Sequence, residues 1–160
     1  MSEEPSLLIL ITSIIFLLLL SAFFSGSETG MMASNKIKLR NKAKSGEKNS
    51  ARALKLLSKP DNLLSVILVG NNFANILASA LVTILMINFF DGRVLLGSIV
   101  LTIIILIFSE ITPKTTASAY PENFASSSSW VLSKLSFLFK PIVLMTNQVS
   151  SRLLNLLNVD

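Results

Sequence analysis

The stretch that decides the fold is LLILITSIIFLLLLSAFF, residues Leu7 to Phe24, which contains 18 consecutive residues and no charge. A transmembrane α-helix needs about 20 predominantly apolar residues to cross a hydrocarbon core of about 30 Å. A signal peptide also begins with an apolar run, but Glu3 and Glu4 stand here where a signal peptide carries Lys or Arg. The sequence therefore predicts a retained first span over about residues 6–32.

Two further uncharged stretches follow. Leu63 to Phe90 is 28 residues long, and Val94 to Ser109 supplies 16 apolar or small residues in a helix that can continue until shortly before Pro121. These stretches predict spans over about residues 62–90 and 94–117. The expected fold class is an all-α membrane protein with three transmembrane helices.

Composition supports this class and narrows the chemistry. Hydrophobic residues make up 51% of the 160 residues and charged residues 14%, whereas typical soluble domains carry about 25% charged residues. Cysteine and histidine are absent, which removes thiolate and common zinc sites together with the usual nucleophile and general base, so no enzyme is expected. Hydroxyl, amide, carboxylate and backbone oxygens remain, and they suit hard cations such as Mg²⁺, Ca²⁺ or Na⁺.

The basic residues predict the orientation. Nine of the fourteen lie in the predicted loop 36–61 between the first two spans, namely Lys36, Lys38, Arg40, Lys42, Lys44, Lys48, Arg52, Lys55 and Lys59. By the positive-inside rule this loop is cytoplasmic, which puts the N-terminus outside and the C-terminus in the cytoplasm. A nucleic-acid patch would also be basic, but this segment has no interleaved aromatic residues and lies between two spans, so no nucleic-acid partner is expected.

The segment 122–158 mixes leucines with Lys134, Lys140, Arg152 and several Asn and Ser. A fourth span would have to bury Lys140 next to Pro141, so an amphipathic helix pair along the cytoplasmic interface is the preferred prediction. Trp130 is placed where an interfacial anchor belongs. The segment is therefore predicted to form a juxtamembrane helical belt in contact with lipid.

Polar residues in the first span form one cluster. Ser21, Ser25 and Glu28 share a helical face, so two hydroxyls and a carboxylate can point at one spot. Gly26 and Gly30 form a small-xxx-small pair that permits close helix packing and also allows a break in the span near residues 25–30. The alternative is that the serines bond to their own i−4 carbonyls and the glycines serve packing alone.

The second span carries Asn71 and Asn75 four residues apart on one face. Each amide offers a carbonyl oxygen that is a neutral, hard ligand. Interhelical hydrogen bonding is the alternative for any single intramembrane Asn.

The third span carries Glu110 within the sequence SEITPK. Pro113 has no N–H to donate to the carbonyl of Ser109, so that oxygen is free beside the carboxylate of Glu110. Lys114 lies four residues from Glu110 and could be only its ion-pair partner, although its side chain can also extend to the interface.

Ionisable and strongly polar groups at membrane depth are expensive and suggest function. The predicted metal ligands are Ser21, Ser25, Asn75 and Glu110, with Asn71, Ser27, Glu28 and Ser109 in a second tier. A site with so little negative charge binds a divalent ion weakly and releases it readily, which suits transport.

Three motifs in this order resemble the transmembrane domain of the CorC/CNNM (cyclin M) magnesium transporter family. They are FSGSETG at residues 24–30, VGNNFANI at 69–76 and FSEITPK at 108–114. Together with the basic segment between the first two, the resemblance extends over about residues 5–158.

The resemblance implies a homodimer whose subunits hold Mg²⁺ through Ser, Asn and Glu side chains and backbone oxygens near a π-helical turn. The matching positions here are Ser25 with Ser21 one turn before it, Asn75 and Glu110. An Asn tends to replace Glu28 in animal relatives. Family members continue into cytoplasmic CBS-pair domains that bind ATP; this chain stops at Asp160, so it is expected to be an isolated transmembrane domain with no ATP site of its own.

The function expected from the residues and the resemblance is Mg²⁺ export by alternating access across a bacterial-type plasma (inner) membrane. Coupling to Na⁺ entry is proposed for the family. The alternative is a module that does not transport, either an anchor and dimerisation unit or a Mg²⁺ sensor that regulates other transporters.

Overall fold

The computed structural model describes residues 5–159, so Glu3 and Glu4 lie outside the described residues. It confirms the predicted all-α class, and no strand occurs between residues 5 and 159. The elements are α1 (Leu7–Ala33), α2 (Lys36–Lys44), α3 (Lys48–Leu57), α4 (Pro60–Phe89), α5 (Val94–Ile104), a π-helical segment (Ile105–Ile111), α6 (Thr112–Ala119), α7 (Pro121–Leu138) and α8 (Lys140–Leu156).

Three helical units are long and apolar enough to cross a membrane. They are α1, α4 and the continuous unit Val94–Ala119 formed by α5, the π-helical segment and α6. The chain is thus a multi-pass membrane protein. Helix α1 is central in the bundle, because it packs against α4, the third span and α7.

The turn between α4 and α5 is tight because two residues adopt left-handed backbone conformations. Asp91 has φ 53° and Gly92 has φ 73°, which ends α4 and reverses the chain. The N–H of Gly92 donates to the carbonyl oxygen of Met86 at 2.9 Å. The second and third spans are therefore antiparallel neighbours.

The break that glycines allow near residues 25–30 is not present, because α1 is continuous from Leu7 to Ala33. Instead, Gly26 and Gly30 receive α7: a Cβ at Gly30 would lie 2.6 Å from Cβ of Phe124 and 3.3 Å from the carbonyl oxygen of Pro121. Keeping the helical hydrogen bonds also avoids exposing backbone groups to hydrocarbon. The predicted close packing at this small-xxx-small pair is confirmed.

The basic segment that connects the first two spans folds into the two helices α2 and α3. Asn35 caps α2, since its side-chain oxygen accepts from the N–H groups of Ile37 and Lys38. Leu39, Ala53 and Leu57 of α2 and α3 are buried in one cluster with residues of α1, α4 and α7. We call this side of the bundle, where α2 and α3 lie, the basic end.

Helices α7 and α8 are bent by 72° relative to each other. Helix α7 packs against α1 and α3, and the hydroxyls of Ser50 and Ser126 lie 3.0 Å apart in a buried hydrogen bond between α3 and α7. By length and composition the bent pair also qualifies as one broken span. Its placement along the interface stays a prediction.

Glu122 joins the start of α7 to the start of α2. Its Oε1 accepts from the backbone N–H of Asn35 at 3.1 Å and lies 4.0 Å from Nζ of Lys38. The hydrogen bond from Asn35, its own backbone N–H and the neighbouring lysines lower the pKa of Glu122 below the ordinary value of 4.5.

This lowered pKa predicts acid sensitivity. The carboxylate contributes stability above pH 4.5, and that contribution is lost as the pH falls from there through the lowered pKa of the folded state. We expect Glu122→Gln to lower the Tm at pH 7 and to flatten its decline between pH 5 and pH 3, as measured by thermal unfolding. The exposed Asp61, changed to Asn, serves as a control for removal of a carboxylate. Equal slopes in wild type and Glu122→Gln would contradict the assignment.

Candidate cation site

Four side chains from the three spans form one hydrogen-bonded group, which we call the polar cluster: Ser21, Ser25, Asn71 and Glu110. Ser21 Oγ donates to Asn71 Oδ1 at 2.8 Å, and Asn71 Nδ2 donates to Glu110 Oε1 at 3.3 Å. Ser25 Oγ donates to the other carboxylate oxygen, Oε2 of Glu110, at 3.1 Å. The carboxylate of the third span is thus held by the first and second spans together.

Helix α1 supplies the two hydroxyls. Ser21 and Ser25 lie one turn apart, and both are fully buried. Their hydroxyls bond to side chains of other helices. The alternative that they only bond back to their own i−4 carbonyls is therefore not what the structure shows.

The π-helical segment supplies Glu110. It ends at Ile111 and is capped by Thr112, whose N–H donates to the carbonyl of Ile107, and Pro113 follows with no N–H of its own. The wide π turn directs two adjacent side chains toward α1, because Ser109 Oγ donates to the carbonyl of Leu18 at 3.0 Å while Glu110 meets Ser25. Such π-helical turns occur frequently at functional sites.

Asn75 lies one turn after Asn71 on α4, and its environment is unusual. Its Oδ1 is buried and has no hydrogen-bond partner within residues 5–159. An unsatisfied buried acceptor costs about 1–3 kcal/mol, so an uncompensated one in a native protein calls for an explanation. A carbonyl oxygen directed at a bound cation is such an explanation, and Asn75 therefore fits the predicted ligand set.

The remaining predicted residues are placed differently. Ser27 is buried, and the hydroxyl of Ser109 is engaged by Leu18. The Glu28 side chain is 42% exposed, and its Oε2 lies 3.8 Å from Nζ of Lys114. The same ammonium lies 3.3 Å from Oε2 of Glu110, so the ion pair considered for Lys114 is present and extends to a second carboxylate.

The chemistry of the cluster is that of oxygen ligands with little charge. No group of three or more Asp, Glu, His or Cys suited to a metal occurs in the described part of the chain. A cation at the polar cluster would therefore meet one carboxylate together with hydroxyl and amide oxygens. This ligand set favours hard ions over transition metals.

A shallow, open surface depression includes Lys114, whose ammonium contacts Glu110, and we call it the vestibule. It is lined by Thr29, Lys114, Thr115, Ser118 and Ala119. Lys114 belongs to both regions, since it lines the vestibule while its ammonium contacts Glu110. The vestibule thus meets the polar cluster at the side chain of Lys114, and Thr29 places it near the end of α1 that precedes the basic helices.

The sequence predicts Asn71 only as a second-tier metal ligand, whereas in the structure Asn71 links Ser21 to Glu110 by hydrogen bonds. The available signal was the adjacent Gly70. Its missing side chain accommodates the ring of Phe24, because a Cβ there would lie 2.3 Å from Cζ. That contact sets the register of α4 on α1 and brings Asn71 beside the two serines.

Comparisons with known proteins agree with this architecture. A family model described as "Cyclin M transmembrane N-terminal domain" matches residues 12–159. The chain is 45% identical over 141 residues to the UPF0053 inner membrane protein YfjD of Escherichia coli, with 88% of this chain and 33% of that protein covered. It is 42% identical over 147 residues to a UPF0053 protein of Haemophilus influenzae, covering 91% and 35%.

A more distant relative carries a functional name. The polyamine export protein of Haemophilus influenzae is 24% identical over 164 residues, with 94% of this chain and 38% of that protein covered. The chain spans about a third of the length of each of these relatives.

Proposed function

The chain belongs to the CNNM (cyclin M) transmembrane family, and on that premise we propose that it carries Mg²⁺ across the membrane. One observation carries the proposal: Ser25 of the first span and Asn71 of the second span both donate to the carboxylate of Glu110 in the third span. Buried ionisable groups in spans are costly and commonly mark ion pathways.

When the proposed cargo binds, its bonds to oxygen replace the hydrogen bonds within the polar cluster. Mg²⁺ would take the carboxylate of Glu110 and the oxygens of Ser21, Ser25 and Asn75, with Asn71 beside them. Mg²⁺ requires near-octahedral oxygen coordination and dehydrates reluctantly, so water would complete its shell. A single carboxylate among neutral ligands keeps affinity low enough for release on the far side.

The proposed route starts at the vestibule. If the basic end is cytoplasmic, as the positive-inside rule predicts, the ion enters from the cytoplasm and the direction is export. We further propose alternating access in a homodimer within a bacterial-type inner membrane, with Na⁺ entry as the coupling reaction. The inner membrane stands in the printed name of the Escherichia coli relative, which supports this location.

Asn75 offers a test in which function and stability change in opposite directions. We expect Asn75→Leu to abolish Mg²⁺ flux into proteoliposomes and the Mg²⁺-dependent rise in Tm. Without Mg²⁺ the variant should be more stable than wild type by up to about 1–3 kcal/mol, because a buried acceptor with no partner is removed.

The matched control is Asn72→Leu on the same helix, since Asn72 is exposed. That variant should retain flux and the Mg²⁺ response. Normal Mg²⁺ flux in Asn75→Leu would contradict the proposed site. If wild-type protein shows no Mg²⁺ flux under any Na⁺ gradient, the anchor or sensor alternative is favoured.

A second candidate cargo is an organic polyammonium ion. The favouring observation is that a primary ammonium, that of Lys114, already lies within 4 Å of the carboxylates of Glu110 and Glu28. The distant relative named as a polyamine export protein agrees with this chemistry. Competition between Mg²⁺ and a diamine for protection against thermal unfolding shows whether they share a site, and the flux assay identifies the cargo, because only the cargo is transported.

A further inference from the structure

Lys114 stands between the vestibule and the polar cluster, and the proposed function leaves its role open. We propose that its ammonium is a tethered cation that neutralises Glu110 while no ion is bound, and that a divalent cargo displaces it toward Glu28. The proposal rests on the proposed function, because it concerns the same carboxylate.

The ammonium already lies within ion-pair distance of both carboxylates. Lys114 Nζ lies 3.3 Å from Oε2 of Glu110 and 3.8 Å from Oε2 of Glu28, so a short movement away from Glu110 leaves it paired with Glu28. The Glu28 side chain is 42% exposed and that of Glu110 only 23% exposed. Displacement therefore moves the ammonium toward water.

Electrostatics explains why the ion-free protein needs this ammonium. A carboxylate at membrane depth with no cation nearby is costly, and a transporter must pass through ion-free states. The ammonium of Lys114 supplies the missing positive charge, and the vestibule around this side chain is lined by the hydroxyl-bearing Thr29, Thr115 and Ser118. When a divalent ion reaches Glu110, repulsion between like charges drives the ammonium away.

The tethered cation also selects for charge. Replacing an ammonium by Na⁺ at Glu110 exchanges one positive charge for another and gains no Coulomb energy. Replacing it by Mg²⁺ gains the attraction of a second charge. Lys114 thus makes the site prefer divalent over monovalent ions, and we assign it as a specificity-determining residue for divalent cargo.

The test measures cation binding to the purified protein by calorimetry, at constant ionic strength. We expect Lys114→Gln to lower the apparent Kd for Mg²⁺ about tenfold, because one neighbouring charge shifts an ionic equilibrium by at least that factor. Na⁺ should compete with Mg²⁺ in this variant and much less in wild type. Added propylammonium should restore the weaker, wild-type affinity for Mg²⁺ in Lys114→Gln.

Two variants control for charge and size. Lys44→Gln removes an equal charge from the exposed surface of α2 and should leave the Kd unchanged. Lys114→Arg keeps the charge and should keep the weak affinity. An unchanged or weaker Kd in Lys114→Gln, while Glu110→Gln loses binding, overturns the tethered-cation proposal and leaves the Mg²⁺ site standing. Mg²⁺ binding that is absent from wild type, or insensitive to Glu110→Gln, overturns the proposed function itself.

A measurement on the wild-type protein keeps the proposal falsifiable if Lys114→Gln does not fold. Acetylation of lysine amines, followed by mass spectrometry, measures how readily each side-chain amine reacts, and ion pairing and burial slow that reaction. Saturating Mg²⁺ should raise the labelling rate of Lys114 several-fold and leave that of Lys44 constant. A Lys114 rate that stays constant or falls as Mg²⁺ binds overturns the proposal.

Discussion

Glu110→Gln should weaken Mg²⁺ binding at least about a hundredfold, because even the loss of an outer-shell partner of a bound metal costs about 10–100-fold. Glu110 is the carboxylate on which the hydroxyl of Ser25 and the amide of Asn71 converge. Gln preserves the size of the side chain and one acceptor oxygen. The change therefore removes the charge while it preserves most of the packing.

Calorimetry with Mg²⁺ and flux in proteoliposomes measure this effect. The matched control is Asp91→Asn, because Asp91 is exposed in the turn between α4 and α5 and Asn tolerates the left-handed conformation found there. It should weaken binding far less than Glu110→Gln. If Glu110→Gln binds and transports Mg²⁺ like wild type, the polar cluster only holds the helices together by hydrogen bonds and does not bind the cargo.

Gly70→Ala should destabilise the bundle by about 3 kcal/mol or more, the upper range for overpacking a core. A Cβ at residue 70 would lie 2.3 Å from Cζ and 2.5 Å from Cε1 of Phe24. Phe24 is only 2% exposed and packs in the buried cluster of α1, α4 and α7, so its ring has little room to move. Helices α1 and α4 would have to separate, and the register that joins Asn71 to Ser21 would be lost.

Thermal unfolding in detergent measures the loss, and two variants isolate its cause. Gly97→Ala should cost less, because its Cβ would meet only the flexible side chain of Met86. The double change Gly70→Ala with Phe24→Leu removes the ring and should recover part of the lost stability. A Gly70→Ala protein as stable as wild type would show that α4 does not pack on Phe24 as described.

Much of the fold could be predicted because the bilayer imposes one constraint along the chain. Backbone groups in hydrocarbon must be satisfied within a helix, so an uncharged stretch such as Leu7 to Phe24 has essentially one structure available. The basic segment was less predictable. Its Lys-rich sequence predicts a connection between two spans and not how that connection folds, which depends on burial of Leu39, Ala53 and Leu57 against the spans.

The polar residues were identifiable from cost alone, because Ser, Asn and Glu at membrane depth need partners. Their partners were not identifiable. Asn71 and Asn75 share a face of α4, yet Asn71 bonds to Ser21 and Glu110 while the buried Oδ1 of Asn75 has no partner within residues 5–159. The helical period relates the two residues to each other, and it carries no information on the rotation of α4 against α1.

The three spans, the all-α class and the small set of oxygen-bearing side chains follow from local hydrophobicity and residue chemistry along the chain. Three other features depend on how the helices pack: the continuity of α1 through Gly26 and Gly30, the central place of Asn71, and the position of Lys114 between two carboxylates. These depend on how helices distant in sequence pack, as Gly70 on Phe24 illustrates. Because the interior is closely packed, the register of each helix depends on the helices beside it, so no single segment of sequence encodes that register.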